Sequence, residues 1–528
     1  MFDIQNFPTE LAERSNHALL NGILRGVERE ALRVKPDGSL SLSPHPKELG
    51  SALCHPLITT DFSESLLEFI TPPSHRRDEL FEKLGHIQCF TLQQFSNELL
   101  WAMSMPCALP NESDIPVAHY GDSHNGMMKT IYRLGLGQRY GRSMQTVAGL
   151  HYNFSLPPAF WAHFHNKENS SLRLDRYRDQ RYFSLIRNFR RHYWLLVLLF
   201  GASPAMDNSF AAGRQHTLDA LNDGQSLYRP WATSLRMGDL GYQSSAQDEL
   251  FVCYNKKNTY IETLTQAILK PHSAYKDLPI QESSGEYQQL SQGLLQIENE
   301  FYSSIRPKRS AKPGETALTA LHRRGVEYIE VRCLDVDPFE PLGITPEQSA
   351  FIDTFLLWCA LADSPESSLE ETRLISENHS KIVNEGRKPG LKLKHPEAGN
   401  IDAKEWALAL IQAMQPAAEL LDQANESHDF ASALKSQRAV IEDLSLSPSA
   451  KLLSKLQGGL SFIELGLEQS RHNLAELESR ALCEGQAARF NTMANDSHAA
   501  QAKLERKSKG EFSAFLADYY KQYEKLLS

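Results

Sequence analysis

Polar and apolar residues alternate along two short stretches some three hundred residues apart. One is Gly26-Val27-Glu28-Arg29-Glu30, running into Ala31-Leu32-Arg33-Val34; the other is Val326-Glu327-Tyr328-Ile329-Glu330-Val331-Arg332. A period of two predicts strands, in which residues two apart share a face. Glu28 then sits beside Glu30, and Glu330 beside Arg332. Further elements follow from the same patterning. Leu11 to about Gly26 reads as helix. Lys35-Pro36-Asp37-Gly38-Ser39 is a turn, after which Ser39 to Leu42 would close a hairpin. Asp61 to Thr71 holds an apolar run with Glu68 inside it. Arg77 to Asn97 and Ser184 to Leu199 read as helices. Val147 to Leu156 reads as a strand with His151 and Asn153 on one face, and Val326 to Leu334 as the late acidic strand.

The connections between these strands are long and irregular, without βαβ alternation. An α+β protein with a mainly antiparallel or mixed sheet is therefore expected. After about residue 400 the sequence turns Ala/Glu/Leu/Lys-rich with helical periodicity, over Ala403 to Glu426, Phe430 to Leu444, Leu453 to Gln457 and Ser461 to Tyr523. The expected division is a catalytic part, 1–400, and a helical C-terminal region, 401–528, packed on it.

Composition narrows the class. The 528 residues carry a formal net charge of −10, which speaks against general binding to nucleic acid or anionic membranes. The longest apolar run, Trp194 to Ala202, is too short to span a bilayer. The opening residues Met1 to Pro8 do not read as a leader. The seven cysteines are scattered without a CxxC pair, as expected for reduced thiols in a cytoplasm.

The candidate chemistry lies in the acids. Glu28, Glu30, Asp61, Glu68 and Glu330 all fall in or beside apolar runs. Each alone reads equally well as the solvated side of a half-exposed strand. Converging with His151, Arg133, Arg236 and Arg332, they read as a Mg²⁺ and phosphate site, because buried carboxylates need a cation to neutralise them. Familiar nucleotide motifs are missing: Gly135 to Ser143 fails the P-loop spacing and reads as a turn-rich segment. His163-Phe164-His165 reads as a surface loop. Tyr132, Tyr242 and Tyr302, beside arginines, read as loop residues that could close over a small substrate or as core filler. Arg306-Pro307-Lys308-Arg309 reads as a solvated turn or as a phosphate contact.

The segments Gly26–Glu30, Thr60–Phe62, Leu67–Pro72, Met103–Cys107, Lys129–Arg133, Gly149–Pro157, Leu199–Pro204, Ala232–Arg236, Leu294–Tyr302, Ile305–Arg309, Glu327–Asp335 and Glu385–Leu391 together resemble the glutamate–cysteine ligases of gamma-proteobacterial type. The resemblance spans residues 22 to about 391, in order and near spacing. It implies a glutamine-synthetase-like curved, mainly antiparallel sheet with surrounding helices. It also implies the ATP-dependent joining of L-glutamate to L-cysteine, the first step of glutathione synthesis, with Mg²⁺ as cofactor and Mn²⁺ as a substitute.

By position, Glu28, Glu30, Asp61, Glu68, His151 and Glu330 resemble the Mg²⁺ ligands. Arg332 and Gln145 resemble contacts to glutamate, and Asn153 joins the substrate contacts. Arg133 and Arg236 resemble the groups that meet the transferring phosphoryl and the oxyanion. Tyr132, Tyr242, Tyr302 and Phe62 resemble the walls of a cysteine pocket. The two acidic strands are expected to form opposite walls of one site. Cys333, beside Arg332, raises the question of redox sensitivity. A monomer is expected; feedback by glutathione is left open.

Overall fold

The computed structural model describes residues 9–221, 223–241, 247, 250–480 and 482–528. Its twelve described strands are β1 (Leu24–Val34), β2 (Ile58–Thr60), β3 (Leu66–Ile70), β4 (Leu99–Leu100), β5 (Leu150–Ser155), β6 (Ala205–Asp207), β7 (Asp219–Ala220), β8 (Ser226–Tyr228), β9 (Ile305–Lys308), β10 (Tyr328–Leu334), β11 (Lys392–His395) and β12 (Gly399–Asp402). The main sheet runs β2-β3-β1-β5-β10-β9, with β4 paired to the end of β1. Every neighbouring pair in it is antiparallel. This is the α+β architecture expected from the irregular connections.

The register places the chemistry. Glu30 lies opposite Glu68 and Glu28 opposite His151. Asn153 lies opposite Glu330, and Glu330 opposite Arg306. Directly paired residues share a face, so these side chains line one side of the sheet. The two acidic strands are therefore not opposite walls: β1 and β10 flank β5 in a single sheet. The other face of β1 meets helix Arg77–Gln93 through Arg29 and Gln88, and helix Pro346–Leu361 through Arg25 and Asp353. The second of these opens with a capping box from Thr345 and Gln348, which satisfies its first free N–H groups.

Several elements differ from expectation. Before β1 the described residues form only the short helix Ala18–Asn21 with 3₁₀ turns at Thr9–Ala12 and Arg14–Asn16. The turn at 35–39 forms, with Gly38 at φ 85°, but Ser39–Leu42 makes isolated bridges to Val34 and Ala108 rather than a strand. Gly135 and Gly137 lie inside the helix His124–Tyr140. A Cβ on Gly135 would sit 2.3 Å from the Gln296 carboxamide oxygen, so close approach, not a turn, requires glycine there. His163 and His165 belong to the helix Pro158–Lys167. The helix expected over Ser184–Leu199 is two, Leu174–His192 and Trp194–Phe200. Arg306–Lys308 lies in the outermost strand β9, where a proline is tolerated.

Beyond residue 400 the chain is helical: Ala403–Asn425, Asp429–Glu442, Pro448–Gln457, Phe462–Ser479, Glu484–Lys507 and Phe512–Leu527. One buried cluster joins Leu11, the sheet, Ala407, Leu434 and Tyr523. Among the described residues, no helix is long and apolar enough to cross a membrane.

Candidate active site

Strand alternation sets out the acids, and register brings them together. One ligating atom each of Glu28, His151 and Glu330 lies within 4.8 Å of the other two. His151 Nδ1 is 3.2 Å from Glu28 Oε2, and its Nε2 is 3.6 Å from Glu30 Oε1. Asn153 Nδ2 donates to Glu28 Oε1 at 2.8 Å. Glu30 Oε2 accepts from the Gly149 N–H at 2.5 Å. On the far side of β5, Glu330 is 3.3 Å from Lys308 Nζ and 3.2 Å from Arg332 Nη1.

Burial and charge act differently across this face. Burial, with Glu28, Asp61 and Glu30 nearby, pushes the Glu68 carboxyl well above the ordinary carboxylate range. Burial likewise raises Glu30 against the pull of His151. Burial also works to raise Glu330, but Lys308 and Arg332 hold it well below the ordinary range. Glu330 Oε2 is buried and its neighbour is the Arg332 guanidinium at 3.2 Å, an ion pair without hydrogen-bond geometry. Mutually repelling acids with such an acceptor form a donor set that fits a divalent cation, oxygen-rich with one imidazole.

Arginines frame the acids. Arg236 is 2 % exposed; its Nη2 donates to the Arg332 carbonyl at 3.3 Å and its Nη1 is 3.7 Å from Asp335. A Cβ on Gly149 would fall 2.0 Å from Arg236 Nη2, so glycine here admits the guanidinium beside Glu30's partner. Arg133 lies over the Tyr120 ring at 4.6 Å and donates through Nε to the Asp61 carbonyl. The helix carrying it thus meets the β2–β3 connection where Asp61 sits. The Gln145 amide donates to Tyr302 Oη at 2.9 Å.

The aromatic candidates divide. Tyr132 and Tyr302 are partly buried. Phe62 is only 1 % exposed and packs in a core cluster with Leu136 and Leu66, so it supports the helix from beneath rather than opening onto a pocket. Tyr242 lies outside the described residues. Tyr132 and Arg133 sit on a helix rather than a loop. Cys333 is buried and its thiol is pushed up to about 12 by burial, which suppresses the thiolate that oxidation needs.

Two lysines border the acids: Lys308, expected in a solvated turn or at a phosphate, and Lys129, for which the residue pattern offered no role. Lys308 approaches Glu330 because it lies opposite Tyr328, two residues from Glu330; Pro307 hid the strand. Lys129 sits one helical turn before Arg133, near Glu68, and burial together with Arg133 pushes its ammonium down to about 8. Its helical spacing from Tyr132 and Arg133 was the available signal.

Known proteins resemble this chain over nearly its whole length. The family model for glutamate-cysteine ligase matches residues 9–382. A glutamate–cysteine ligase of Saccharophagus degradans is 55% identical over 525 residues, covering 99% of both chains. One of Alcanivorax borkumensis is 46% identical, covering 96% of this chain and 99% of the relative. The crystal structure of the Francisella tularensis glutamate–cysteine ligase in complex with AMP superposes with a TM-score of 0.89 at 36% identity, over 96% of this chain and 98% of that one. A bifunctional glutathione synthetase from Pasteurella multocida shares the fold, with a TM-score of 0.69 at 24% identity over 93% of this chain and 57% of that one. The chain belongs to the glutamate–cysteine ligase family.

Proposed function

We propose that this ligase joins the γ-carboxylate of L-glutamate to the amine of L-cysteine, driven by ATP, through γ-glutamyl phosphate. The observation that carries the reading is the convergence of Glu28, His151 and Glu330 within 4.8 Å on one sheet face, with Arg332, Lys308 and Arg236 around it. The AMP held by the Francisella relative supports an adenine nucleotide as co-substrate.

A carboxylate is a poor electrophile. A glutamate oxygen attacks the γ-phosphorus of ATP, the bridging P–O bond to ADP breaks, and the acyl phosphate that forms has a good leaving group. The cysteine nitrogen then attacks the acyl carbon, and the C–O bond to phosphate breaks. Glu28, Glu30, Asp61, Glu68, His151 and Glu330 would hold Mg²⁺, or Mn²⁺ in its place. Such an ion supplies neutralisation of the polyphosphate and of the transferring phosphoryl group. Arg133 and Arg236 stabilise charge developing on the phosphoryl and acyl oxygens. Arg332, Gln145 and Asn153 orient glutamate, while Tyr132 and Tyr302 flank the cysteine end. Residues 1–400 hold these groups and 401–528 brace them, in a cytoplasmic protein.

Coupled ADP release across a small matrix of acids and amines tests this. ADP should appear only with glutamate, cysteine and a divalent cation together. ADP release that needs no amine sinks the reading, and a stronger response to another amine reassigns the acceptor. A small apolar pocket discriminates one group only modestly, so 2-aminobutyrate is expected to react more weakly than cysteine.

A further inference from the structure

Gln296 has no exposed surface, and its four polar groups each meet a different element. Its side-chain nitrogen donates to the Tyr132 carbonyl at 3.1 Å, within the helix that also carries Arg133. Its side-chain oxygen accepts from the Leu290 N–H at 2.9 Å. Its backbone N–H donates to Glu300 at 2.7 Å. Its backbone carbonyl accepts from the Tyr520 hydroxyl at 2.7 Å. Tyr520 lies in the last helix, Phe512–Leu527, more than two hundred residues away in sequence. The glycine at 135 lets the carboxamide press against the helix backbone.

From Glu300 the ties run on toward the substrate side. Tyr140 and Arg139 reach Glu300 Oε1 at 2.7 and 2.8 Å. The Gln247 amide donates to the Glu300 carbonyl at 2.9 Å and accepts from the Tyr302 N–H at 3.1 Å. Tyr302 in turn receives Gln145. Tyr132 and Tyr302 are thus separate ends of one hydrogen-bonded framework with Gln296 at its centre. The same last helix ties a neighbouring point, since Tyr523 donates to Glu298.

We propose that Gln296 is a positioning residue for the amine acceptor, and that Tyr520 makes the C-terminal helix a working part of the acceptor side. The inference rests on the placing of cysteine between Tyr132 and Tyr302. Buried frameworks of this kind fix geometry because every unmet group is costly. A displacement of about 1 Å at the pocket wall is enough to weaken substrate placement.

Tyr520→Phe in the full chain removes one hydroxyl and keeps the ring. Its KM for cysteine should rise about fivefold, the worth of one hydrogen bond, with kcat and the KM values for glutamate and ATP within about twofold of wild type. Gln296→Met should give a larger rise of the same selectivity; if it does not fold, Tyr520→Phe carries the test. Gln522→Ala is the control. Gln522 bonds to Thr316 N–H and the Gly314 carbonyl, away from the framework, and its loss should leave the cysteine KM unchanged. Equal rises in all three KM values for Tyr520→Phe, or a fall in melting temperature alone, overturn the proposal while leaving the function intact. A wild-type protein with no cysteine-dependent turnover overturns both.

Discussion

The two faces of strand β1 carry opposite charges and resolve them in opposite ways. Behind the sheet, Arg25 pairs with Asp353 at 2.5 Å and also bonds the Ile23 and His75 carbonyls. Arg33 pairs with Glu98 at 2.8 Å and bonds carbonyls of Ser43, Pro44 and Glu64. Those charges are matched by the chain itself. On the front, Glu28 and Glu30 of β1 lie beside Glu68 of β3 with one imidazole, His151, between the first two, and burial raises Glu68 and Glu30 all the same. Buried charge that the fold neutralises is structural; buried charge that it leaves unresolved marks a place where something else must bind.

The largest effect should come from the front face. Glu330→Ala is expected to lower turnover at least ~100-fold, the scale of removing a group that stabilises transition-state charge, while circular dichroism shows the fold intact. Retention of most activity would remove the metal assignment. Asp353→Ala should do the reverse. It leaves Arg25 buried and unpaired, so about 3–5 kcal/mol of stability should be lost by denaturant unfolding, with turnover per folded molecule little changed. If instead activity falls while stability holds, the division between faces is wrong.

Metal binding gives a third and smaller separation. A divalent cation at a hundred times its dissociation constant should stabilise the wild type by about 2.7 kcal/mol. The same increment should persist in Asp353→Ala and vanish in Glu330→Ala. Calorimetric melting with Mg²⁺ or Mn²⁺ against a chelator measures it. An equal increment in Glu330→Ala would place the cation elsewhere.

How much of this was legible follows from the same strand. The alternation in Gly26–Val34 announced both faces, because period two is a local property of the sequence. That β1 and β10 flank β5, rather than face each other, was not legible: register and strand order are set by contacts distant in sequence. Glycines misled at 135 and 137, where low helix propensity suggested a turn; Gln296 packs against the first, and Arg142 and Phe62 lie against the second. Proline hid β9 for a similar reason. Phe62 carried the family's position but not its exposure, which only packing decides. The question of redox sensitivity at Cys333 turns on burial, which the neighbouring arginine in sequence does not reveal. The framework around Gln296 had no local signature, since its partners come from five separate segments.

The smallest effect sits at the residue that fits the comparison least well. Arg29 lies behind the sheet, 2 % exposed, and its closest acceptor is the Gln88 carboxamide at 2.5 Å, not a carboxylate. Burial alone pushes its guanidinium down to about 10. A base whose folded value is depressed carries a folding penalty that is complete below that value and fades only as pH rises beyond it. Arg29→Met removes that penalty but leaves Gln88 short of a partner, which costs on the order of 1–3 kcal/mol. The two should nearly cancel, leaving stability within about 1 kcal/mol of wild type. Because Arg29 stays charged in both states well below 10, the difference should be flat from about pH 6 to 9. Urea unfolding at several pH values measures it. A loss as large as that of Asp353→Ala would mean that Arg29, too, is fully matched by its surroundings. The back face would then be uniformly neutralised, and the contrast with the acids in front sharper than its hydrogen bonds suggest.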